Sequence, residues 1–302
     1  MVNMVKPEIK WTKLFFLGFL VVITLVGCSS DPAATPTIAA PEWTATPSEP
    51  TPTPIPAAAV VNGERIPLTW YESEVARYLL AKEAQGTPVT DQDAARETVL
   101  NDLIDQVLLA QGAQEAGASV TDADVQTRLD ALAVEVDLPA WMAAWGYTEA
   151  DLFQALRLQV LAANQRDRIA GSIPESMEQV ELQQILSYSA EGAHNALVSL
   201  NSGTDFNDLA FSSTYDVVTG GLLGWVPRGY LLSQTLEDAA FGLPVGSYSE
   251  VIETDVGYHI IRVLDRGEHP LSTDARLTLQ RQAVQDWVAD RRTSSIIEII
   301  NE

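Results

Sequence analysis

The sequence predicts an α+β chain: a helical body, then a smaller sheet-bearing segment, then a closing helix and strand. Three observations carry this reading. Between Thr69 and Ile169, apolar residues recur at helical spacing behind Thr start signals. Between Gly220 and Asp265, paired glycines and apolar runs replace that spacing. From Ala275 to Val288 the helical stripe returns, followed by the strand-like run Ser295 to Ile300.

Composition narrows the function classes. The 302 residues hold 41 acidic and 18 basic side chains, a net charge of −23. Residues 1–27 contain Lys6, Lys10, Lys13 and Glu8, so residues 28–302 carry −25. A nucleic-acid binder needs clustered cations to displace counterions, so no nucleic-acid partner is expected. Electrostatic adhesion to anionic lipid is disfavoured for the same reason. One Cys and three His leave no disulfide framework and no metal cluster of usual spacing. The length suits roughly two domains at about 150 residues each.

The first residues read as an address. Lys10 and Lys13 precede the uncharged run Leu14–Gly27, which is too short for a bilayer span of about 20 residues. It fits the apolar part of a signal peptide over 1–27. Leu25-Val26-Gly27-Cys28 resembles the lipobox of bacterial lipoproteins. The resemblance implies cleavage before Cys28, lipidation of its thiol and a membrane partner through that anchor. The plainer alternative is a small apolar residue inside an ordinary signal. Residues 28–58 are rich in Pro, Thr, Ala and Ser. They cannot bury a core, and as extended linker they would reach up to about 90 Å.

Residues 59–175 read as a helical domain. Asn62-Gly63, between Val60-Val61 and Glu64-Arg65-Ile66, fits a type I′ hairpin turn. Thr69 with Glu72 reads as a capping box opening a helix to Ala84, with Tyr71, Val75, Tyr78 and Leu79 inward. Thr90 with Asp93 opens a second helix, whose stripe joins Val99, Leu103 and Val107 to Leu100, Ile104 and Leu108. Gly117 ends it. Thr121 with Asp124 opens a third. Pro139 to Trp145 forms a short helix stopped by Gly146, and Thr148 with Asp151 opens a long one to Ile169. Such helices bury one another in a bundle. VVNGERIPLTWYESEV, VLNDLIDQVLLAQGAQEAGASVTDADV and GYTEADLFQALRLQVL resemble the N-terminal domain of SurA/PrsA-type extracytoplasmic chaperones. The resemblance implies a surface that binds unfolded chains. The alternative is a domain that only packs on its neighbour.

Residues 176–267 hold the sharpest signal. Gly220-Gly221 permits φ > 0 or close backbone approach. Ile260-Ile261, between Tyr258 and Val263, reads as a central strand, and Leu236, Ala239, Ala240 and Phe241 as one helical face. Read without a family, His259 is a core histidine with a satisfied ring. The run GGLLGWVPRGYLLSQTLEDAAFGLPVGSYSEVIETDVGYHIIRVLD resembles the parvulin (PpiC-type) peptidyl-prolyl isomerase domain. That implies a small antiparallel sheet wrapped by helices. Val180 to Leu186 fits its first strand and Asn195 to Leu209 its helices.

The implied reaction is non-covalent and needs no metal or cofactor. An X-Pro bond turns over unaided in tens to hundreds of seconds, against an amide barrier of about 18–20 kcal/mol. A catalyst must bind the twisted amide better than the planar forms. The resemblance assigns the polar centre to His259, Thr254, Gln184 and Asp216. Gln184 stands where the family has a histidine, and Thr214 rivals Asp216. It assigns the proline pocket to Leu223, Leu231 or Leu232, Leu236 and Phe241. The implied partners are unfolded or proline-containing exported polypeptides.

In residues 268–302, Ala275, Leu277, Leu279, Ala283, Val284, Trp287 and Val288 form a helical stripe. The SurA-like resemblance implies that this helix and its strand return to complete the helical domain, making the isomerase an insertion. Two other functions fit the sequence: a holdase with a silent isomerase site, and a lipoprotein scaffold that binds one partner.

Overall fold

The structure is a computed structural model that describes residues 56–213 and 219–300. The segments assigned to signal, lipobox and most of the linker, Cys28 included, lie outside the described residues. So do Thr214 and Asp216.

The described chain opens with a hairpin, β1 (Ala57–Val61) and β2 (Glu64–Pro67). Asn62 and Gly63 take φ of 52° and 87°, the geometry of a type I′ turn. Five helices follow: α1 (Leu68–Ala84), α2 (Gln92–Glu115), α3 (Asp122–Glu135), α4 (Leu138–Trp145) and α5 (Glu149–Ala170). The expected stripe of α2 is its core face. Val99, Leu103, Ile104, Val107 and Leu108 are buried with Val61, Ile66 and Val75, and Tyr71, Tyr78, Leu79 and Leu100 pack around them.

Helix starts differ from expectation at two of four places. Thr121 and Thr148 are N-caps in full capping boxes with Asp124 and Asp151. The bonds from Thr121 hold the Asp124 carboxyl below its usual range. Thr69 caps nothing: α1 begins at Leu68 behind Pro67, without a side-chain cap. The Leu68 N–H donates to the Pro56 carbonyl at 2.9 Å, so the hairpin's backbone does the cap's work. Thr90 also yields, to Asp91, which accepts from the Ala94 N–H at 3.0 Å. A carboxylate also complements the positive end of the helix.

Next come β3 (Ser176–Ser187), α6 (Ala190–Asn201), α7 (Phe206–Ser213), β4 (Leu222–Pro227), α8 (Gln234–Gly242), β5 (Ile252–Thr254) and β6 (Gly257–Pro270). The strands form one antiparallel sheet in the order β4-β3-β6-β5, with β3 and β6 interior. Its two faces follow from alternation along the strands. Ile185 and Ile260 pack against α6 and α7 through Ala196, Leu197, Leu200 and Phe206. Leu182, Ile261 and Val263 pack with Ala240 and Phe241 of α8.

The chain closes with α9 (Thr273–Ser294) and β7 (Ile297–Ile299). β7 pairs antiparallel with β1, giving a three-stranded sheet β2-β1-β7. The Trp287 ring of α9 lies where any side chain at Gly112 of α2 would have to go. Arg291 and Arg292 pair with Glu115 and Asp105 of α2. The last segment thus completes the first body, as the SurA-like resemblance implied. No helix among the described residues is long and apolar enough to cross a membrane.

Candidate active site

The site is built on the face of the second sheet that α8 partly covers. Opposed residues of an antiparallel pair share a face. Gln184 lies opposite Ile261, Leu186 opposite His259, and Ile252 opposite His259 on the other side. Gln184 and His259 are therefore diagonal neighbours, within reach of long side chains. Thr254 ends β5, two residues beyond Ile252.

These three side chains form one hydrogen-bonded row. His259 Nδ1 is 3.0 Å from Gln184 Oε1, and His259 Nε2 is 2.8 Å from Thr254 Oγ1. The amide oxygen only accepts, so Nδ1 carries the proton and donates to Gln184. A neutral ring then accepts at Nε2, and the Thr254 hydroxyl donates to it. Thr254 Oγ1 in turn accepts from the Val256 N–H at 3.2 Å. His259 is 4% exposed, and burial holds its pKa below the ordinary histidine value. The row is a neutral polar floor with both ring nitrogens satisfied.

The double glycine shapes the neighbouring strand. Gly220 and Gly221 take φ of 61° and 72°. A Cβ at Gly221 would overlap the backbone oxygen of Gln184, and Gln184 N–H donates to the Gly221 carbonyl at 2.8 Å. The turn is thus clamped to the residue that orients His259. Gln183 is a clamp that the sequence reading missed. It is buried on the opposite face, and its Nε2 donates to the Gly220 carbonyl at 2.9 Å. The available signal was a Gln-Gln doublet set between the apolar residues Leu182 and Ile185.

The apolar assignments separate. Leu231 and Leu236 pack on the core under α8, with Phe241 buried inside it. Leu232 is fully exposed, so of that pair Leu231 faces the core. Leu223 is 43% exposed on β4, beside an equally open Leu222. The Arg228 guanidinium covers the Phe241 ring at 4.0 Å, so that ring fills the core rather than walling an open groove. Two cavities of about 350 and 480 Å³ lie elsewhere, lined by residues of α2 and α9.

Residues 181–265 match the PPIC-type PPIase domain, and residues 53–158 match the SurA-like N-terminal domain. The chain is 28% identical over 223 residues to a foldase protein PrsA of Caldanaerobacter subterraneus subsp. tengcongensis, covering 68% of this chain and 72% of that protein. It is 25% identical over 271 residues to a chaperone SurA of Methylobacillus flagellatus, covering 75% of this chain and 62% of that protein. A crystal structure of the peptidylprolyl isomerase PrsA from Bacillus cereus aligns at a TM-score of 0.46 and 21% identity. That alignment covers 78% of this chain and 86% of that one.

Proposed function

From a chain that joins a PPIC-type PPIase domain to a SurA-like N-terminal domain, we propose a membrane-tethered peptidyl-prolyl isomerase and chaperone that acts on exported proteins outside the cytoplasm. One observation carries the enzymatic half: the neutral row Gln184–His259–Thr254 beside the clamped double-glycine turn. Turning an X-Pro bond breaks amide resonance and calls for no bond making. A rigid, neutral floor with neighbouring leucines favours the twisted, less polar amide over water. His259 and Thr254 are the polar floor in this reading, and Gln184 orients the ring. Asp216 joins the polar centre as an expectation from sequence. In this reading Leu223, Leu231 and Leu236 hold the proline, and Leu232 and Phe241 stay in the pocket as expectations from sequence.

The address rests on the run Leu14–Gly27 and on Cys28. A lipidated Cys28 with two or more acyl chains anchors stably. Residues 28–58 then serve as spacer, 59–175 with 268–302 as the chaperone body, and 176–267 as the isomerase insertion. Cys28→Ala would shift the protein from the membrane to a soluble or uncleaved fraction.

A second reading keeps the fold and silences the site. It is favoured by the satisfied, buried ring of His259, which leaves little polar capacity for a substrate. A refolding protein limited by proline isomerisation separates the two. The proposal expects the full chain to accelerate that phase and His259→Ala to abolish the acceleration. Equal, uncatalysed rates for both would leave only the holdase.

A further inference from the structure

We propose that α4 and its acidic surroundings form a docking surface for unfolded segments that combine apolar and basic residues; this rests on the chaperone half of the reading above. Helix α4 reads Leu-Pro-Ala-Trp-Met-Ala-Ala-Trp, with no charged or hydrogen-bonding side chain except the two indoles, yet none of its residues is buried. A helix this apolar normally belongs in a core. Here Leu138, Trp141 and Met142 only lean on a small cluster around Val125, Leu152 and Leu156. Ala140, Ala143 and Ala144 face solvent, and Trp145 is only partly buried. Val134, just before the helix, is 87% exposed.

The helix is held firmly despite its exposure. Asp137 caps its start, and Gly146 ends it in the left-handed region. The Trp141 ring stacks on Tyr147 at 5.3 Å, and Arg77 covers Tyr147 at 3.9 Å. The Arg77 charge is consumed by Glu74 and the Gly146 carbonyl. The ridge is therefore pre-formed, and aromatic and methionine side chains suit varied apolar partners.

Charge selects the occupant. Residues 129–156 contain Asp130, Glu135, Asp137, Glu149 and Asp151 but no Lys or Arg. A second copy would bring an identical acidic rim against this one, which like charge opposes. Anionic lipid is opposed in the same way. An eight-residue helix is about 12 Å long, the reach of three or four extended residues. A short stretch of unfolded chain with Leu-like and Lys-like residues satisfies ridge and rim together.

The probe is a short fluorescein-labelled peptide of Leu, Lys and Gly, free of proline, titrated by anisotropy into the full chain. Expected are saturable binding, at least about tenfold weakening by Ala144→Arg, and a further loss with added salt. A peptide with Glu for each Lys should bind at least about tenfold more weakly. His259→Ala should leave binding unchanged, so failure here is distinguishable from failure of the isomerase reading. Unchanged affinity in Ala144→Arg, or equal binding of the Glu peptide, overturns the proposal. A dimer that Ala144→Arg dissolves also overturns it, in favour of a second copy. Should Ala144→Arg lower the melting temperature, Glu135→Lys replaces it: weakening supports the proposal and unchanged affinity overturns it.

Discussion

At the scale of single residues, the candidate site depends on who donates to whom. Gln184 fixes the tautomer of His259 through the 3.0 Å bond at Nδ1. Gln184→Leu would keep the volume but strand a buried N–H, costing about 1–3 kcal/mol. Denaturant unfolding should register that loss, and Gln184→Asn should not repair it, because its shorter reach misses the ring. The pH response follows from burial. The folded His259 resists protonation, so the unfolded chain binds that proton first as pH falls. Through this group, stability is intact above the ordinary histidine pKa of about 6.5 and declines below it. Melting temperature should therefore fall less steeply from about pH 7 to 5.5 in His259→Gln than in the wild type. A wild-type slope no steeper than the variant's would remove this role for the ring. His259, Thr254 and Gln184 were legible as one polar centre only through the parvulin resemblance, not from the residues alone. The partners of His259 lie 75 positions upstream and 5 upstream, and only the register of three strands brings them together.

At the scale of elements, local chemistry was readable where nothing else competed for it. Thr121 and Thr148 start helices in open chain, so their capping boxes form as written. Thr121→Ala should cost about 1 kcal/mol of stability, measured by chemical unfolding. Thr69 follows a hairpin whose carbonyl already pairs the first free N–H, information that no short motif contains. The double glycine was legible for its backbone freedom, but its partner was not. Gly221→Ala would drive a methyl into the Gln184 carbonyl and require φ of 72° from a residue with a Cβ. We expect β4 to detach from β3, with lost protection of the Gln184 amide in hydrogen exchange. Protection equal to the wild type would contradict the clamp.

At the scale of the whole molecule, the described chain leaves one body and returns to it. Leu271 N–H donates to the Glu175 carbonyl at 2.9 Å, and Ser176 pairs with Pro270. The two crossing points are thus adjacent backbone. Joining Glu175 to Leu271 by a short Gly linker should leave a folded helical body, read by cooperative thermal unfolding. The return of β7 to β1 was visible in sequence only as a terminal apolar run. Its pairing had to come from the SurA-like resemblance, because a strand does not name its partner. Trp287 was legible as part of a helical stripe, but its contact with Gly112 was not.

The central claim is that the sheet face around His259 turns prolyl bonds. Exchange spectroscopy of a Leu-Pro peptide by NMR reads this without a folding client. The account predicts cis–trans exchange cross-peaks with catalytic amounts of the full chain, and their loss with His259→Ala or Thr254→Val at unchanged fold. Cross-peaks absent with the wild-type chain, or undiminished in both variants, would contradict it.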